Sequence, residues 1–335
     1  MKSYRAAIVG CGAISGVHAA ALKENGIELC AVCDIKSERA AAMSVKTGAA
    51  AYTELDNMLN NENIDVLHIC TPHFLHLSMA ETALIRGINV VLEKPPVMNM
   101  NEFQRLSAAA NSKNVQICVC FQNRFNATTR HAKQLIDSGR YGALLGARGI
   151  VTWHRRGDYY TESDWRGRYN TEGGGVLINQ ALHTLDLLCE FLGEPTGVRA
   201  VCANLSHSEI ETEDTVCAEI DYGKKSAVFY STVSACKSPD AEIMLFCERA
   251  NINLSFRACA VYPKDGRAEI FSVGDITPGK SCWGSSHSEL IGKFYSSLDG
   301  TGTEQNPCPL ESCRQTMETL CRIYDGNLIT VDRKE

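Results

Sequence analysis

A glycine-rich turn set between a short apolar run and a helix constrains this chain more than any other feature. Arg5–Val9 runs apolar into Gly10, and Gly10–Cys11–Gly12–Ala13–Ile14–Ser15 leads into a stretch of helical character to Asn25. The first glycine allows a tight turn, and Gly12 lets a ligand approach the backbone closely. At Ala13 and Ile14 the helix start offers unpaired amides and the positive end of its dipole. Ser15 stands where a third glycine is usual, with Gly16 beside it, so helix and strand can still pack closely. Asp34 lies 22 residues beyond Gly12, just past a second apolar run, Leu29–Cys33. Strand, turn, helix and acidic residue in this order predict a dinucleotide site in which the carboxylate accepts from a ribose diol. It would repel a 2′-phosphate. NAD is therefore expected, with NADP possible because Lys36 and Ser37 follow closely.

The rest of the first third repeats the pattern. Asp65–Cys70, Asn89–Leu92 and Gln116–Cys120 read as strands; Ser37–Thr47, Leu77–Arg86 and Met100–Lys113 read as helices. Such alternation predicts right-handed βαβ units in a doubly wound parallel sheet, an α/β fold. After about Phe125 the pattern changes. A helix over Ala127–Asp137 and a strand near Leu145–Trp153 precede an apolar helix opened by Gly173–Gly175. Strands follow at Val198–Ser206, Thr215–Asp221, Ser226–Ser234, Glu242–Cys247, Ile252–Phe256 and Ala268–Ser272, with helices at Ser286–Leu298 and Leu310–Tyr324. Few helices separate these strands, which favours a mostly antiparallel sheet in an α+β domain. The expected domains are 1–125 for the dinucleotide and 126–335 for substrate and oligomerisation.

Composition sets outer limits. The 335 residues are 44% hydrophobic and 21% charged, an ordinary globular balance. The net charge of −6 argues against a nucleic-acid partner. No apolar run is long enough for a membrane span or a signal-peptide core, so a cytoplasmic protein without a membrane partner is expected. The 16 cysteines then read as reduced, mostly buried thiols. Cys30 and Cys33 form a C-x-x-C pair, but odd spacing in a strand sends their side chains to opposite faces. No second pair accompanies them, and no metal is expected.

Two further motifs carry chemistry. Thr71–Pro72 and Glu93–Lys94–Pro95–Pro96 end strands at the ligand edge of the sheet, making Thr71, Pro72, His76, Glu93 and Lys94 candidate cofactor neighbours. A fixed Lys94 ammonium could bind a hydroxyl and stabilise a developing alkoxide, with Glu93 helping to hold it. On the apolar helix after Gly175, Asn179, His183 and Asp186 fall on one polar stripe and need partners or a ligand. His183 is the natural proton acceptor for an alcohol being oxidised. Between the two motifs, Trp153, Arg156, Tyr160, Trp165 and Arg166 offer aromatic faces and guanidinium groups that suit a carbohydrate, an anionic one included, as oligomer packing also would. Gln122–Asn123–Arg124, which follows the fifth strand, is a further candidate segment for lining the cleft, with Arg124 a candidate for the substrate.

Taken together, Gly10–Ser15, Thr71–Pro72 with His76, Glu93–Lys94–Pro95 and Glu172–Asp186 resemble the glucose–fructose oxidoreductase / inositol dehydrogenase / MocA family along essentially the whole chain. The resemblance implies a Rossmann domain followed by an α+β domain with an open, mostly antiparallel sheet, on which homodimers or homotetramers are built. It implies NAD(P)-dependent oxidation or reduction of a secondary hydroxyl or ketone on a sugar, inositol or sugar derivative. Lys94 then matches the lysine of the Glu-Lys-Pro motif, and His183 the acid/base histidine. Asn179 stands where many members carry aspartate; an amide can orient the ring or bind a substrate hydroxyl, but cannot strengthen the histidine as a carboxylate would. Two alternatives stay open: an NAD-dependent glycosidase working through transient oxidation, and a non-catalytic dinucleotide-binding sensor.

Overall fold

The computed structural model describes residues 3–113, 115–273, 286–299 and 305–325. Its elements in chain order are β1 (Arg5–Val9), α1 (Ser15–Glu24), β2 (Glu28–Cys33), α2 (Ser37–Thr47), β3 (Ala50–Tyr52), α3 (Leu55–Asn61), β4 (Val66–Ile69), α4 (His76–Ile85), β5 (Asn89–Leu92), α5 (Met100–Asn111) and β6 (Ile117–Val119). There follow α6 (Ala127–Asp137), β7 (Leu144–Thr152), α7 (Asp158–Thr161), α8 (Leu182–Leu192), β8 (Gly197–Ala203), β9 (Thr215–Asp221), β10 (Ser226–Thr232), β11 (Glu242–Cys247), β12 (Ala250–Leu254), β13 (Ala258–Pro263), β14 (Glu269–Ser272), α9 (His287–Leu298) and α10 (Arg314–Tyr324).

These elements form two compact units: Met1–Cys120 with Ser286–Arg314, and Phe121–Ser285 with Gln315–Glu335. The first holds a six-stranded sheet in the order β3-β2-β1-β4-β5-β6, with every pairing parallel. This is the doubly wound order, and its reversal between β1 and β4 opens a crevice at the strands' carboxyl ends. Ala6–Val9, Val66–Ile69 and Val90–Leu92 are all buried, as strands covered on both faces must be. The sequence reading misses β3 and α3. The strand is three residues of Ala-Ala-Tyr, and the helix is only seven residues long, three of them asparagine, so its Leu55, Met58 and Leu59 spacing spans barely one turn. The chain also returns to this unit. In α9, Leu290, Ile291 and Phe294 are buried, the helix packs along α1, and the Asn25 amide donates to the Ser288 carbonyl at 3.0 Å. Residues 286–314, placed by the sequence on the far side of one cut at 125/126, therefore lie in the first unit.

In the second unit an eight-stranded sheet runs β14-β13-β12-β11-β7-β10-β9-β8. All its pairings are antiparallel except β7 with β10, so it is the expected mostly antiparallel sheet. The sequence reading overlooks β13, whose alternation is short and ends in Pro263. Val151, Phe229, Ile243, Leu245 and Ile252 are buried on the sheet, and Leu185 and Leu188 are buried on α8. Gly149 on β7 makes room for that helix: a Cβ there would stand 3.0 Å from Leu188 and 3.2 Å from Thr184. The alternate side chains of β7–β11 carry Arg199–Glu219 and Arg148–Glu242 ion pairs, both at 2.9 Å, among exposed Val201 and Val228.

Among the described residues the cysteines are free, and most are buried; Cys30 and Cys33 both lie inside the parallel sheet. No described helix is long and apolar enough to cross a membrane. Shortening Leu188 to Ala removes a fully buried side chain from the α8–sheet contact, so the urea midpoint should fall by the equivalent of about 2–5 kcal/mol in equilibrium unfolding.

Candidate functional site

At the carboxyl edge of the parallel sheet, Gly10 has φ +89° and donates its N–H to the Cys33 carbonyl at 2.8 Å. A Cβ there would lie 2.7 Å from the Cys70 carbonyl, so both conformation and space require glycine. Asp34 holds the turn. One carboxylate oxygen accepts from the Cys11 N–H at 2.8 Å, the other from the Lys36 N–H at 2.9 Å. With roughly four acceptor positions on a carboxylate, capacity remains for a diol. Ser15 is buried and its hydroxyl donates to the Gly12 carbonyl at 2.7 Å, closing the loop where a third glycine would stand. Gly12 and Ala13 are exposed, no atom lies within 4 Å of a Cβ built on Gly12, and no side chain caps α1 at Ile14. An open backbone with uncapped helix amides and a neighbouring carboxylate fits a dinucleotide's pyrophosphate and ribose.

Thr71 and Pro72 follow β4 and are half-buried. His76 is fully buried, and its ring nitrogens lie 2.7 Å from the Pro95 carbonyl and 3.0 Å from that of Thr71. His76 thus ties the loops after β4 and β5 together through whichever ring nitrogen carries the proton. Burial holds its pKa below the ordinary value, against the opposing pull of the two carbonyls.

Lys94 is half-buried immediately beyond β5, beside buried Glu93. Burial pushes the Glu93 pKa up, but hydrogen bonds and charge from His18 and His287 outweigh it and hold the carboxyl well below the usual range. His18 Nε2 lies 2.9 Å from Glu93 Oε1, His18 Nδ1 lies 2.9 Å from His68 Nδ1, and His68 Nε2 lies 3.0 Å from the Tyr295 hydroxyl. With Glu93 ionised and able only to accept, His18 donates to it from Nε2. Burial, with His18 adding and Glu93 opposing, holds the His68 pKa well below its ordinary value. Among the described residues, His18, Glu93 and His287 also bring three potential ligand atoms within 4.8 Å of one another. The sequence reading does not single out His18, His68, Tyr295 or His287, because a lone histidine in an apolar element carries no visible partner.

In the second unit, Gly173–Gly175 lead into a π-type turn, Leu177–Ala181, that precedes α8. Gly175 must be glycine, since a Cβ would lie 1.9 Å from the Glu213 carbonyl oxygen. The Glu213 carboxylate accepts from the Gly175 N–H at 2.8 Å, the Leu177 N–H at 3.1 Å and the Tyr324 hydroxyl at 2.9 Å. Burial raises its pKa to about 7 even so, the three donors only partly opposing it.

The π turn breaks the expected single stripe, because it adds backbone between Asn179 and His183. The three polar residues have separate partners. Asn179 donates its amide to Glu172 and, at 3.4 Å, to the Tyr159 hydroxyl. His183 is buried, with Nε2 3.3 Å from the Gln122 amide nitrogen and its ring edge-on to Phe121. Asp186 takes a bidentate pair from Arg124, at 2.8 and 2.5 Å, and a hydroxyl from Thr316 at 2.8 Å. A third Arg124 nitrogen reaches Glu190 at 3.0 Å. Arg124, expected to touch substrate, thus has its whole fork committed to tying the 122–125 turn to α8.

The aromatic-basic stretch also divides. Trp153 is buried and donates to the Pro239 carbonyl at 2.9 Å; Tyr160 is buried against Tyr159 and His207, with its pKa raised by burial. Arg156 points outward and pairs with Asp158 at 3.1 Å. Trp153 and Arg156 serve packing and surface, whereas Tyr160 lies close enough to Glu172, the partner of Asn179, for that carboxyl to add to the effect of burial. Arg166 stacks over Tyr159 at 4.3 Å and Trp165 at 4.9 Å, and it lies close enough to Glu172 to act on its charge. Gln122, expected with Asn123 and Arg124 to line the cleft, lies beside His183, while Glu172, to which the sequence reading gave no role, lies beside Asn179.

An NAD-binding edge and a separate His-bearing helix of this form define a dinucleotide-dependent oxidoreductase. A sequence model of the oxidoreductase family with an NAD-binding Rossmann fold matches residues 4–121, and that of the GFO/IDH/MocA C-terminal domain matches 129–253; the chain belongs to this family. It is 28% identical over 272 residues to oxidoreductase P35 of Formosa agariphila, covering 79% of this chain and 83% of the relative. It is 30% identical over 232 residues to D-glucoside 3-dehydrogenase of Escherichia coli, covering 68% and 63%. The WlbA dehydrogenase of Bordetella pertussis, solved with NADH and UDP-GlcNAcA, superposes with a TM-score of 0.84 at 27% identity over 96% of both chains.

Glu213 has a consequence for stability. Its pKa is near 4.5 when unfolded and about 7 when folded, so its contribution is full below about pH 4.5 and is lost as pH rises through 7, by about 3 kcal/mol. Urea titrations between pH 5 and pH 8 should show a shallower decline in Glu213→Gln than in the parent; an equal decline would remove Glu213 as its source.

Proposed function

We propose that this protein is an NAD-dependent dehydrogenase that interconverts a secondary hydroxyl and a ketone on a sugar or sugar derivative. The observation that carries this reading is the glycine turn at Gly10, held by Asp34 and open at Gly12, in a chain of this oxidoreductase family. Bound nicotinamide supplies the hydride chemistry. Asp34 orients the turn and accepts from the adenosine ribose, which disfavours a 2′-phosphate. Lys94 holds a positive charge at the end of β5, where it would stabilise oxygen as it becomes an alkoxide. His183 takes the hydroxyl proton on oxidation and returns it on reduction. The carbohydrate reading is supported by the activities named for the relatives, which include D-glucoside 3-dehydrogenase and the UDP-GlcNAcA complex of WlbA. Tyr159, Trp165 and Arg166 are the aromatic and cationic groups offered to such a ring or its acidic substituent.

Two coarser readings go with this. The exposed face of the eight-stranded sheet, mixing Val201 and Val228 with paired charges, is the surface on which a homodimer or homotetramer would form. Free and mostly buried thiols suit a reducing, cytoplasmic setting.

Purified protein should reduce NAD in the presence of a member of a panel of aldoses, uronates, glycosides and inositols. His183→Ala should lower turnover at least about 100-fold while leaving NADH affinity within about twofold. Glycoside cleavage without net NADH, or full turnover in His183→Ala, would refute the scheme. Asp34→Ala should weaken NAD binding by roughly 10–100-fold, measured by fluorescence titration, and narrow the preference over NADP.

A further inference from the structure

Glu172 is the charged residue of the His183 region that the proposed chemistry leaves unused. It is fully buried two residues ahead of Gly174, and one carboxyl oxygen accepts from the Gly167 N–H at 2.5 Å. The other oxygen accepts from the Asn179 side-chain amide. Asn179 lies in the π turn, four positions before His183. The carboxylate that faces Asn179 is thus supplied by a different segment of chain, seven positions earlier.

We infer that Glu172 is a positioning residue whose protonation sets which end of the Asn179 amide faces the reaction. When Glu172 is ionised it can only accept, so the Asn179 NH2 must point to it and the Oδ1 acceptor lies on the opposite branch. When the oxygen facing Asn179 takes a proton from solvent, Glu172 becomes a donor there. The stable pairing is then Glu172 O–H to Asn179 Oδ1, the amide turns by half a rotation, and NH2 stands where the carbonyl stood. Gly167 keeps its acceptor throughout, because it uses the other oxygen. The effect is to exchange an acceptor for a donor near the substrate hydroxyl without moving the backbone.

The surroundings place this exchange in a usable range. Burial raises the Glu172 pKa to about 7; the Gly167 and Asn179 hydrogen bonds and the Arg166 guanidinium pull it down, and Glu213 pushes it up. Tyr160, close enough for its own pKa to be raised by Glu172, is the other titratable neighbour and stays neutral. Arg166 is held in turn over the Tyr159 ring, whose hydroxyl accepts from Asn179 and from Gln180 at 3.2 Å, so the aromatic stretch and the amide form one assembly.

The inference rests on the assignment of the His183 helix to catalysis, and a reciprocal swap tests it. In Asn179→Asp two carboxyls must share one hydrogen bond. Its kcat/KM should fall at least about tenfold at about pH 8, and its pH profile should move upward by about one unit or more. The parent should show a pH limb near 7 that Glu172→Gln lacks. The double variant Glu172→Gln/Asn179→Asp restores one carboxylate and one amide in exchanged positions, and it should recover to within about threefold of the parent. A merely structural Glu172 would not produce that rescue. The inference fails if the double variant is no better than Asn179→Asp, or if Glu172→Gln keeps the parent's pH profile. Should Glu172→Gln not fold, an Asn179→Asp profile that superimposes on the parent's overturns it alone. If His183→Ala keeps full turnover, the catalytic assignment itself has failed; if His183→Ala is inactive and the swap shows no coupling, only the role of Glu172 has.

Discussion

A buried carboxylate holding the backbone amides of a glycine turn is the interaction on which the arrangement depends. Glu213 takes the Gly175 and Leu177 N–H groups and so fixes where the π turn, and after it α8, begins. Asp34 does the equivalent in the first unit, taking the Cys11 and Lys36 N–H groups. A glycine turn has little conformational preference of its own, and its ordering costs more entropy than that of any other residue type. A carboxylate with no donor of its own can offset that cost by accepting from two amides at once. The same contact explains why glycine is required: the backbone comes so near its neighbour at Gly10 and Gly175 that a Cβ has no space.

The two anchors differ in environment. Asp34 retains room for further acceptance at the edge of the sheet, which suits a residue that also meets a ligand. Glu213 is enclosed, and its remaining capacity goes to Tyr324. Removal from water then works against its ionised form, so a group that organises the helix also makes the fold sensitive to pH. Glu172 lies under the same pressure but faces an amide that can turn, and a structural burden there becomes a means of control.

Networks of this kind also account for what sequence reading could and could not reach. Gly10, Gly12, Asp34 and the strand ends at Thr71 and Glu93 were legible because their roles follow from local spacing and from strand direction. The buried chain from Tyr295 through His68 and His18 to Glu93 was not, since Tyr295 lies 227 positions from His68. Arg124 illustrates the opposite error. Its residue type suits an anionic substrate, and only coordinates reveal that Asp186, 62 positions away, already holds it. The polar stripe of Asn179, His183 and Asp186 was read correctly as needing partners, but regular helical geometry could not anticipate a π turn among them.

By itself the sequence determined the parallel βαβ architecture, the mostly antiparallel second sheet, the nucleotide turn and the family, because these depend on periodicity and on motifs whose members are near in the chain. The tertiary structure alone decided which polar residues are engaged and which remain for chemistry. The reason is physical: whether a carboxyl is an anchor, a neutral acid or a ligand depends on the donors facing it and the water removed from it, and both come from segments that the chain order keeps apart.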